Sequence, residues 1–184
     1  MLLPTDTVYG LCADAFRAES GELLARLKGR SGAAPIALLA ADLDTVLDAV
    51  PETGGRACAI ARALLPGPFT LVLSNPARRF PWLTGSRPET IGVRVPELPH
   101  ESRAVVERVT AVAATSANLH GAPDPRRLAD VPAELADAVR ASIDAGELPG
   151  TPSTVIDLTS DEPQILREGA VTGSDALARI SAVS

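Results

Sequence analysis

The stretch that decides the fold is TIGVRVP, residues 90–96. Its isoleucine and two valines alternate with Gly92 and Arg94, a period of two that is typical of a β-strand with one apolar face. The arginine is informative, because an unpaired charge inside a protein is prohibitively costly. Arg94 must therefore either emerge at an edge or pair with an anion. The pattern predicts a pocket for an anion or a polar metabolite beside this strand.

Strand-like and helix-like segments alternate along the rest of the chain. Apolar runs of strand length lie at 35–40, 69–75, 110–118, 153–158 and 164–168. Helical spacing of apolar residues predicts helices at 18–28, 42–49, 54–65, 100–109, 125–141 and 175–180. This interleaving favours a layered α/β domain over a bundle or a sandwich, and 184 residues fit one domain, 1–184.

Composition and charge exclude several classes of protein. The net charge of −6 predicts weak or no direct RNA binding, because non-specific affinity comes from neutralising phosphates. Two cysteines are too few for a disulfide framework, which favours a reducing compartment. The start of the chain does not resemble a signal peptide, and no apolar run approaches the ~20 residues that cross a bilayer. We therefore expect a soluble cytoplasmic protein with no membrane partner.

Familiar catalytic motifs are missing from the sequence. It has no phosphate-binding P-loop, no dinucleotide fingerprint, no HExxH and no CxxC, and we predict no metal site. Its two histidines, His100 and His120, have loop-like surroundings and lie beside no convincing nucleophile. We interpret both as solvated side chains.

Polar side chains occur instead where apolar strands end. Ser116 and Asn118 follow the apolar run AVAA, Ser153 opens another strand, and Arg167 ends a third. In open α/β sheets ligands bind in the crevice beyond the strand ends, so these groups indicate a binding site. For Ser116 and Asn118 a second interpretation stays open, since both residue types also serve in turns and caps.

Two cations close the first predicted helix. Lys28 and Arg30 lie at its carboxyl end, separated by Gly29. They either belong to the predicted anion site or merely complement the negative end of the helix dipole. Residue types alone leave both interpretations open.

Seven short segments carry a resemblance to a known family. In chain order they are PTDTVYGL (4–11), KGR (28–30), LLPGPFTLVL (64–73), TIGVRVP (90–96), TSAN (115–118), STVIDL (153–158) and ILREGAV (165–171). Together they resemble the YrdC/TsaC family, the threonylcarbamoyl-AMP synthases, over nearly the whole chain. The resemblance implies a single YrdC-like domain in which helices flank a twisted, mostly mixed β-sheet around a concave cleft. It implies the short form, without the C-terminal domain of longer relatives.

The family reaction gives an expectation for function. By resemblance, the chain is an L-threonylcarbamoyladenylate synthase that joins L-threonine, bicarbonate and ATP and releases pyrophosphate. A tRNA-modifying transferase complex then uses the product to make threonylcarbamoyladenosine. ATP is a substrate and Mg²⁺ is expected with it. Such chemistry needs anions brought together and charge stabilised on the leaving group rather than a protein nucleophile.

The resemblance also implies roles for individual residues. It assigns binding of the substrate threonine to Thr7, Arg94, Ser116 and Ser153. It assigns ATP binding to Lys28, Arg30, Thr90, Asn118 and Arg167. Lys28 and Arg30 are further expected to be catalytic by neutralising the phosphates, while the Arg94 fork binds the substrate carboxylate.

Two departures from the family pattern support a second hypothesis. Ala34 and Leu39 stand where many relatives have a nucleotide-contacting asparagine and a histidine near the threonine. Relatives also carry a helix and most of a strand before the segment that begins at Pro4, so Leu2 and Leu3 resemble a strand stump beside a bare sheet edge. The second hypothesis is a catalytically weakened paralogue that binds nucleotide or RNA.

Overall fold

The computed structural model describes residues 1–29 and 34–183, and within these ranges eight strands form one sheet. They are β1 (Leu2–Pro4), β2 (Tyr9–Asp14), β3 (Ala37–Ala40), β4 (Phe69–Ser74), β5 (Thr90–Arg94), β6 (Ala111–Ser116), β7 (Thr154–Asp157) and β8 (Gln164–Arg167). Their spatial order is β1-β2-β6-β3-β5-β4-β7-β8. The pairs β3–β5 and β4–β7 are parallel and the other pairs are antiparallel, which confirms the predicted mixed sheet.

Helices connect most of these strands. They are α1 (Glu19–Leu27), α2 (Leu43–Ala49), α3 (Gly55–Leu64), α4 (His100–Val109), α5 (Ala133–Ala138) and α6 (Gly173–Ser181). Side-chain caps begin two of them, since Asp42 accepts the Thr45 N–H at 2.7 Å and Thr172 accepts that of Asp175 at 3.2 Å. Within the part of the chain that the structure describes, no helix has the length and apolar character to cross a membrane.

The two faces of the sheet differ, and β5 shows why. Ile91 and Val93 point to one face, where aliphatic side chains of α1, α3 and α6 cover them in a large core. We call this the core face. Gly92 and Arg94 point to the other face, which carries an open cleft and, beside it, a smaller core under α4. We call this the cleft face. The alternation predicted from the sequence is confirmed.

The edge at β1 is covered by a distant segment of the same chain. The Leu2 N–H donates to the Ala141 carbonyl at 2.9 Å, and the Ile143 N–H donates to the Leu2 carbonyl at 3.1 Å. The expectation of a bare edge beside Leu2 is therefore wrong. The predicted loss of a preceding helix stays a prediction.

The long connection between β6 and β7 also differs from expectation. The helix predicted over 125–141 is reduced to α5 and a short 3-10 turn, Leu128–Asp130. Backbone groups of this segment bond elsewhere, because the Pro125 carbonyl accepts from Tyr9 at 3.1 Å and the Arg126 carbonyl accepts from Leu148 at 2.8 Å. A continuous helix would need those carbonyls for its own N–H groups.

Candidate active site

A cavity of about 560 Å³ lies over the middle of the cleft face. Its floor is formed by side chains that alternate along the central strands, so the period of two that builds the sheet also builds the site. Lysine and arginine dominate the charged residues among the described lining, which contains a single carboxylate, Asp124. The charged residues are Lys28, Arg87, Arg94, Asp124 and Arg167.

Lys28 defines one end of the cleft. It follows the last residue of α1 and is 4% exposed. Its ammonium reaches β6, where it donates to the Ser116 carbonyl at 2.5 Å, and it bonds Asn118 Oδ1 at 2.7 Å. Ser116 Oγ donates to the same amide oxygen at 2.6 Å. The ammonium is therefore directed at the end of β6 in the cleft rather than at the carbonyls of its own helix, and its role in anion binding stays a prediction.

Arg94 defines the opposite end. Its Nη2 donates to Asp6 Oδ1 and to Thr7 Oγ1, each at 3.1 Å. The ion pair is mostly buried, with 12% of the Arg94 side chain and 10% of the Asp6 side chain exposed. Burial raises the pKa of Asp6 above its ordinary value, although the charge of Arg94 opposes this. Burial likewise lowers the pKa of Arg94 against the attraction of Asp6.

Ser153 and Arg167 meet beside Arg94. Arg167 lies opposite Val155 in the β7–β8 register, and its Nη2 donates to the Ser153 carbonyl at 2.8 Å and to Ser153 Oγ at 3.3 Å. The Ser153 and Thr70 hydroxyls are 2.7 Å apart. Gly169 permits this approach of the two strands, because a Cβ there would lie 2.2 Å from the Pro152 carbonyl oxygen.

Most of the residues implied by the resemblance come together in this cleft. Those that line it are Lys28, Thr90, Arg94, Ser116, Asn118, Ser153 and Arg167. Thr7 is fully buried and lies behind Arg94, outside the lining. Arg30 falls outside the described residues. The individual ligand contacts assigned to all of these residues stay predictions.

The two departures from the family pattern lie next to residues that line the cavity, but neither is among the described lining residues. Leu39 is buried in the smaller core, packed among residues that include Val106 of α4. Ala34 is not among the lining residues within the described part of the chain, whereas Pro35 and Ile36 are.

Several polar residues of the described cleft wall were missed by sequence reasoning, among them Thr70, Arg87, His120 and Asp124. Thr70 carried a usable signal, since it alternates with Phe69 and Leu71 on a predicted strand. Arg87, His120 and Asp124 carried none, because they lie in irregular connections where no period fixes the direction of a side chain. The Arg87 Nη1 donates to Asp157 Oδ2 at 3.2 Å, which joins the connection before β5 to the end of β7.

The chemistry of this arrangement is anion binding. Guanidinium, ammonium and hydroxyl groups converge on one cavity, and charge-assisted hydrogen bonds from such groups hold carboxylates and phosphates. Within residues 1–29 and 34–183, no group of three or more histidine, cysteine or acidic side chains could hold a metal ion. Fold and site together define an α/β domain with a cleft on one face of a mixed sheet, lined by cations and hydroxyls that suit anionic small molecules.

The chain belongs to the Sua5/YciO/YrdC family, whose model, described as "Telomere recombination", matches residues 1–169. A Mycobacterium tuberculosis relative is 33% identical over 173 residues, 94% of this chain and 79% of that protein. The threonylcarbamoyl-AMP synthase of Bacillus subtilis is 32% identical over 171 residues, 92% of this chain and 49% of that protein. The resemblance drawn from the seven segments is confirmed.

A solved structure supports the same assignment. The Pyrococcus abyssi Sua5 protein, complexed with L-threonine, superposes with a TM-score of 0.86 at 31% identity. The match covers 99% of this chain and 54% of that one. The chain thus spans about half the length of the Bacillus subtilis and Pyrococcus abyssi proteins.

Proposed function

We propose that the chain is an L-threonylcarbamoyladenylate synthase, which makes threonylcarbamoyl-AMP and pyrophosphate from L-threonine, bicarbonate and ATP. The observation that carries the proposal is the convergence of Lys28, Ser116, Asn118, Arg94 and Ser153 on one cleft. These residues come from the segments on which the resemblance rests, and a family member of the same fold is complexed with L-threonine. The enzyme class that follows is nucleotidyltransferase.

The two ends of the cleft suit different parts of the reaction. Arg94 offers a guanidinium group to the carboxylate of threonine, and Thr7 and Ser153 are further proposed threonine contacts at this end. Lys28 offers an ammonium, held by Ser116 and Asn118, to the phosphates of ATP. The further proposed nucleotide contacts are Arg30, Thr90, Asn118 and Arg167. Binding anions side by side offsets their mutual repulsion and converts a multi-substrate reaction into one between oriented partners.

The bonds that change require no protein nucleophile. The threonine amine forms a carbamate with bicarbonate and water is lost. A carbamate oxygen then bonds the α-phosphorus of ATP, and the bond to the β-phosphate breaks as pyrophosphate leaves. Lys28 is placed to stabilise the charge that develops on this leaving group. The chain's own residues bind and orient the substrates and stabilise that charge.

ATP enters as its magnesium complex in this proposal. Mg²⁺ prefers oxygen ligands and is often held by one or two carboxylates together with substrate phosphates. The cleft wall offers Asp124 as such a carboxylate, which fits an ion that arrives with the nucleotide. Mg²⁺ would supply neutralisation of the triphosphate.

Product transfer and location complete the proposal. Threonylcarbamoyl-AMP would pass to a tRNA-modifying transferase complex in the cytoplasm. The alternative, a catalytically weakened nucleotide- or RNA-binding paralogue, is not favoured, because the cations and hydroxyls of the site are retained and Leu39 lies outside the cleft lining. The net charge of −6 also disfavours an RNA-binding module.

Pyrophosphate release tests the proposal directly. The full chain is incubated with ATP and Mg²⁺, and L-threonine or bicarbonate is added or withheld. We expect release to require both, and Arg94→Lys to reduce it at least tenfold while the exposed control Arg108→Lys leaves it unchanged. Release without threonine would indicate simple ATP hydrolysis. ATP binding without any release would support the paralogue.

A further inference from the structure

The connection that follows β6 forms one wall of the cleft. None of its lining residues belongs to a helix or a strand, and most of them are exposed. The lining residues of this connection are Leu119, His120, Gly121, Ala122 and Asp124. We call the segment 119–124 the wall loop.

Hydrogen bonds hold the wall loop beside Lys28. The His120 N–H donates to the Lys28 carbonyl at 3.2 Å. The Asn118 side chain makes a second link, since its Oδ1 accepts from the Lys28 ammonium at 2.7 Å and its Nδ2 donates to the Ala122 carbonyl at 2.5 Å. The backbone of His120 is therefore tied directly to Lys28, whatever side chain it carries.

The imidazole of His120 differs from the hydroxyl groups at the same end of the cleft. The Ser116 hydroxyl donates to Asn118 Oδ1 at 2.6 Å, and the Thr90 hydroxyl donates to a backbone carbonyl at 3.1 Å. The imidazole makes no hydrogen bond or ion pair within the part of the chain that the structure describes. Because an imidazole carries at least one N–H in either protonation state, His120 has a donor for a ligand in the cleft.

The charges beside the wall loop suit a phosphate group. The Lys28 ammonium is directed at the end of β6 in the same cleft, and the residue is 4% exposed. Asp124, at the far end of the wall loop, is the single carboxylate among the described lining residues and would repel a bare phosphate. A polyphosphate that arrives with Mg²⁺ presents the ion to such a carboxylate. The wall loop therefore suits a magnesium-bound polyphosphate better than a substrate carboxylate.

We propose that His120 donates a hydrogen bond to the pyrophosphate that leaves from ATP, at a site it shares with Lys28. This inference rests on the proposed function, in which Lys28 meets the phosphates, and adds a contact from outside the seven family segments. As a carbamate oxygen bonds the α-phosphorus, the bond from that phosphorus to the bridging oxygen breaks, and its electron pair stays on the pyrophosphate. The imidazole N–H stabilises this growing negative charge and keeps its proton.

The alternative is the interpretation drawn from the sequence, in which His120 is only a solvated side chain. Substitution separates the two, because the backbone bond to Lys28 survives in every variant. His120→Ala removes the imidazole, and His120→Asn keeps a side-chain donor. His100→Ala is the matched control, since His100 is an exposed histidine at the start of α4, outside the described cavity lining.

Calorimetry with two probes tests the contact. The probes are magnesium pyrophosphate and AMP, which lacks the β- and γ-phosphates. We expect His120→Ala to weaken pyrophosphate about tenfold, the loss of one hydrogen bond to a charged group, and to leave AMP within about twofold. His120→Asn should restore part of the pyrophosphate affinity, and His100→Ala should match the unsubstituted chain with both probes.

Nuclear magnetic resonance adds a direct readout, because the chain has only two histidines. The two alanine variants assign the two imidazole C–H signals. Magnesium pyrophosphate should shift the His120 signal and leave the His100 signal in place, whereas AMP should shift neither. A His120 signal that ignores pyrophosphate, or moves equally with AMP, would overturn the contact.

The remaining outcomes separate this contact from the proposed function. Pyrophosphate affinity that depends on His120, in a chain that releases no pyrophosphate from ATP, would overturn only the proposed function. Equal pyrophosphate affinity in the unsubstituted chain and in His120→Ala, with unchanged melting temperatures, would overturn only the contact. Failure of the unsubstituted chain to bind pyrophosphate would overturn the contact as well.

Discussion

The two faces of the sheet use the same strands for different purposes. On β4 and β5 the residues Leu71 and Val93 are fully buried in the core face. Their immediate neighbours Val72 and Gly92 lie on the floor of the cleft face. Stability and binding therefore alternate residue by residue along one strand. The face of the sheet to which a side chain points, more than its hydrophobicity, therefore decides whether a substitution changes stability or binding.

The largest effect is expected at Leu71. Leu71→Ala removes a fully buried side chain and leaves a cavity, so the free energy of unfolding should fall by about 2–5 kcal/mol. Val72→Ala, on the adjacent half-buried position, should cost about 1 kcal/mol or less. Urea denaturation of both variants measures the difference. Equal losses would break the comparison of the two faces.

Lys28 should give the next largest effect, which we expect on ATP binding. Lys28→Ala removes the ammonium held by Ser116 and Asn118 and should weaken ATP binding by about 1.5–3 kcal/mol, the value of a charge-assisted hydrogen bond. Arg26→Ala, exposed on the same helix, is the matched control and should bind ATP normally. Calorimetry that shows equal ATP affinity in the two variants would revive the helix-cap interpretation.

Gly92 gives a sharper test of the difference between the two faces. The protein has room for a small side chain at this position, but that side chain would occupy space that a bound ligand needs. A Cβ at this position would lie 3.7 Å from Thr70 Cγ2, an ordinary contact. Gly92→Ala should leave the melting temperature nearly unchanged but place a methyl group in the space of the ligand, which should weaken binding by about the 1–3 kcal/mol typical of overpacking. Substrate affinity and thermal unfolding measure the two effects. A large loss of stability together with normal substrate affinity would contradict the assignment of Gly92 to the binding face.

The smallest effect is expected from Asp157 and depends on pH. Burial alone would raise the pKa of this carboxyl, but hydrogen bonds from Thr159 and Arg87 outweigh burial and hold the pKa below its ordinary value. A carboxyl whose pKa is lower in the folded than in the unfolded chain stabilises the fold at pH values above its unfolded pKa of about 3.9. This stabilisation is lost as the pH falls from that value through the folded pKa.

Asp157→Asn should therefore lower the free energy of unfolding by about 1 kcal/mol at pH 7, since its partner Arg87 is half exposed. The difference from the unsubstituted protein should shrink as the pH falls below 4. Denaturation curves at several pH values provide the measurement. A difference that grows towards acid pH would contradict the assigned direction of the shift.

The strands with strict alternation or strong apolar runs could be predicted from the sequence. β5 is the clearest example, since its period placed Arg94 on the correct face. β2 was missed, because Tyr9–Asp14 shows no alternation of polar and apolar residues and is buried over most of its length. The helix predicted over 125–141 was too long for another reason. Its backbone groups bond to Tyr9 and Leu148, partners that no local pattern reveals.

The sequence predicted which residues belong to the site but not how they are arranged in it. The residues that line the cleft from the family segments could be named in advance, and their convergence followed from the fold. The position of Thr7 behind Arg94 could not be foreseen, because it depends on a long-range contact between the turn before β2 and the end of β5. Asp124 and Arg87 lie in irregular connections, where no periodic sequence pattern predicts the direction of a side chain.

The order of the strands in the sheet has a consequence for how the protein is made. β2 pairs with β6, so the first part of the sheet stays open until about a hundred further residues have left the ribosome. Arg167 comes from β8, the last strand to be synthesised, and it bonds Ser153 across the β7–β8 register. A nascent chain that stops before β8 would carry Lys28 and Arg94 but no closed wall beside them. The cleft wall formed by Arg167 is therefore complete only when translation of the domain is nearly finished.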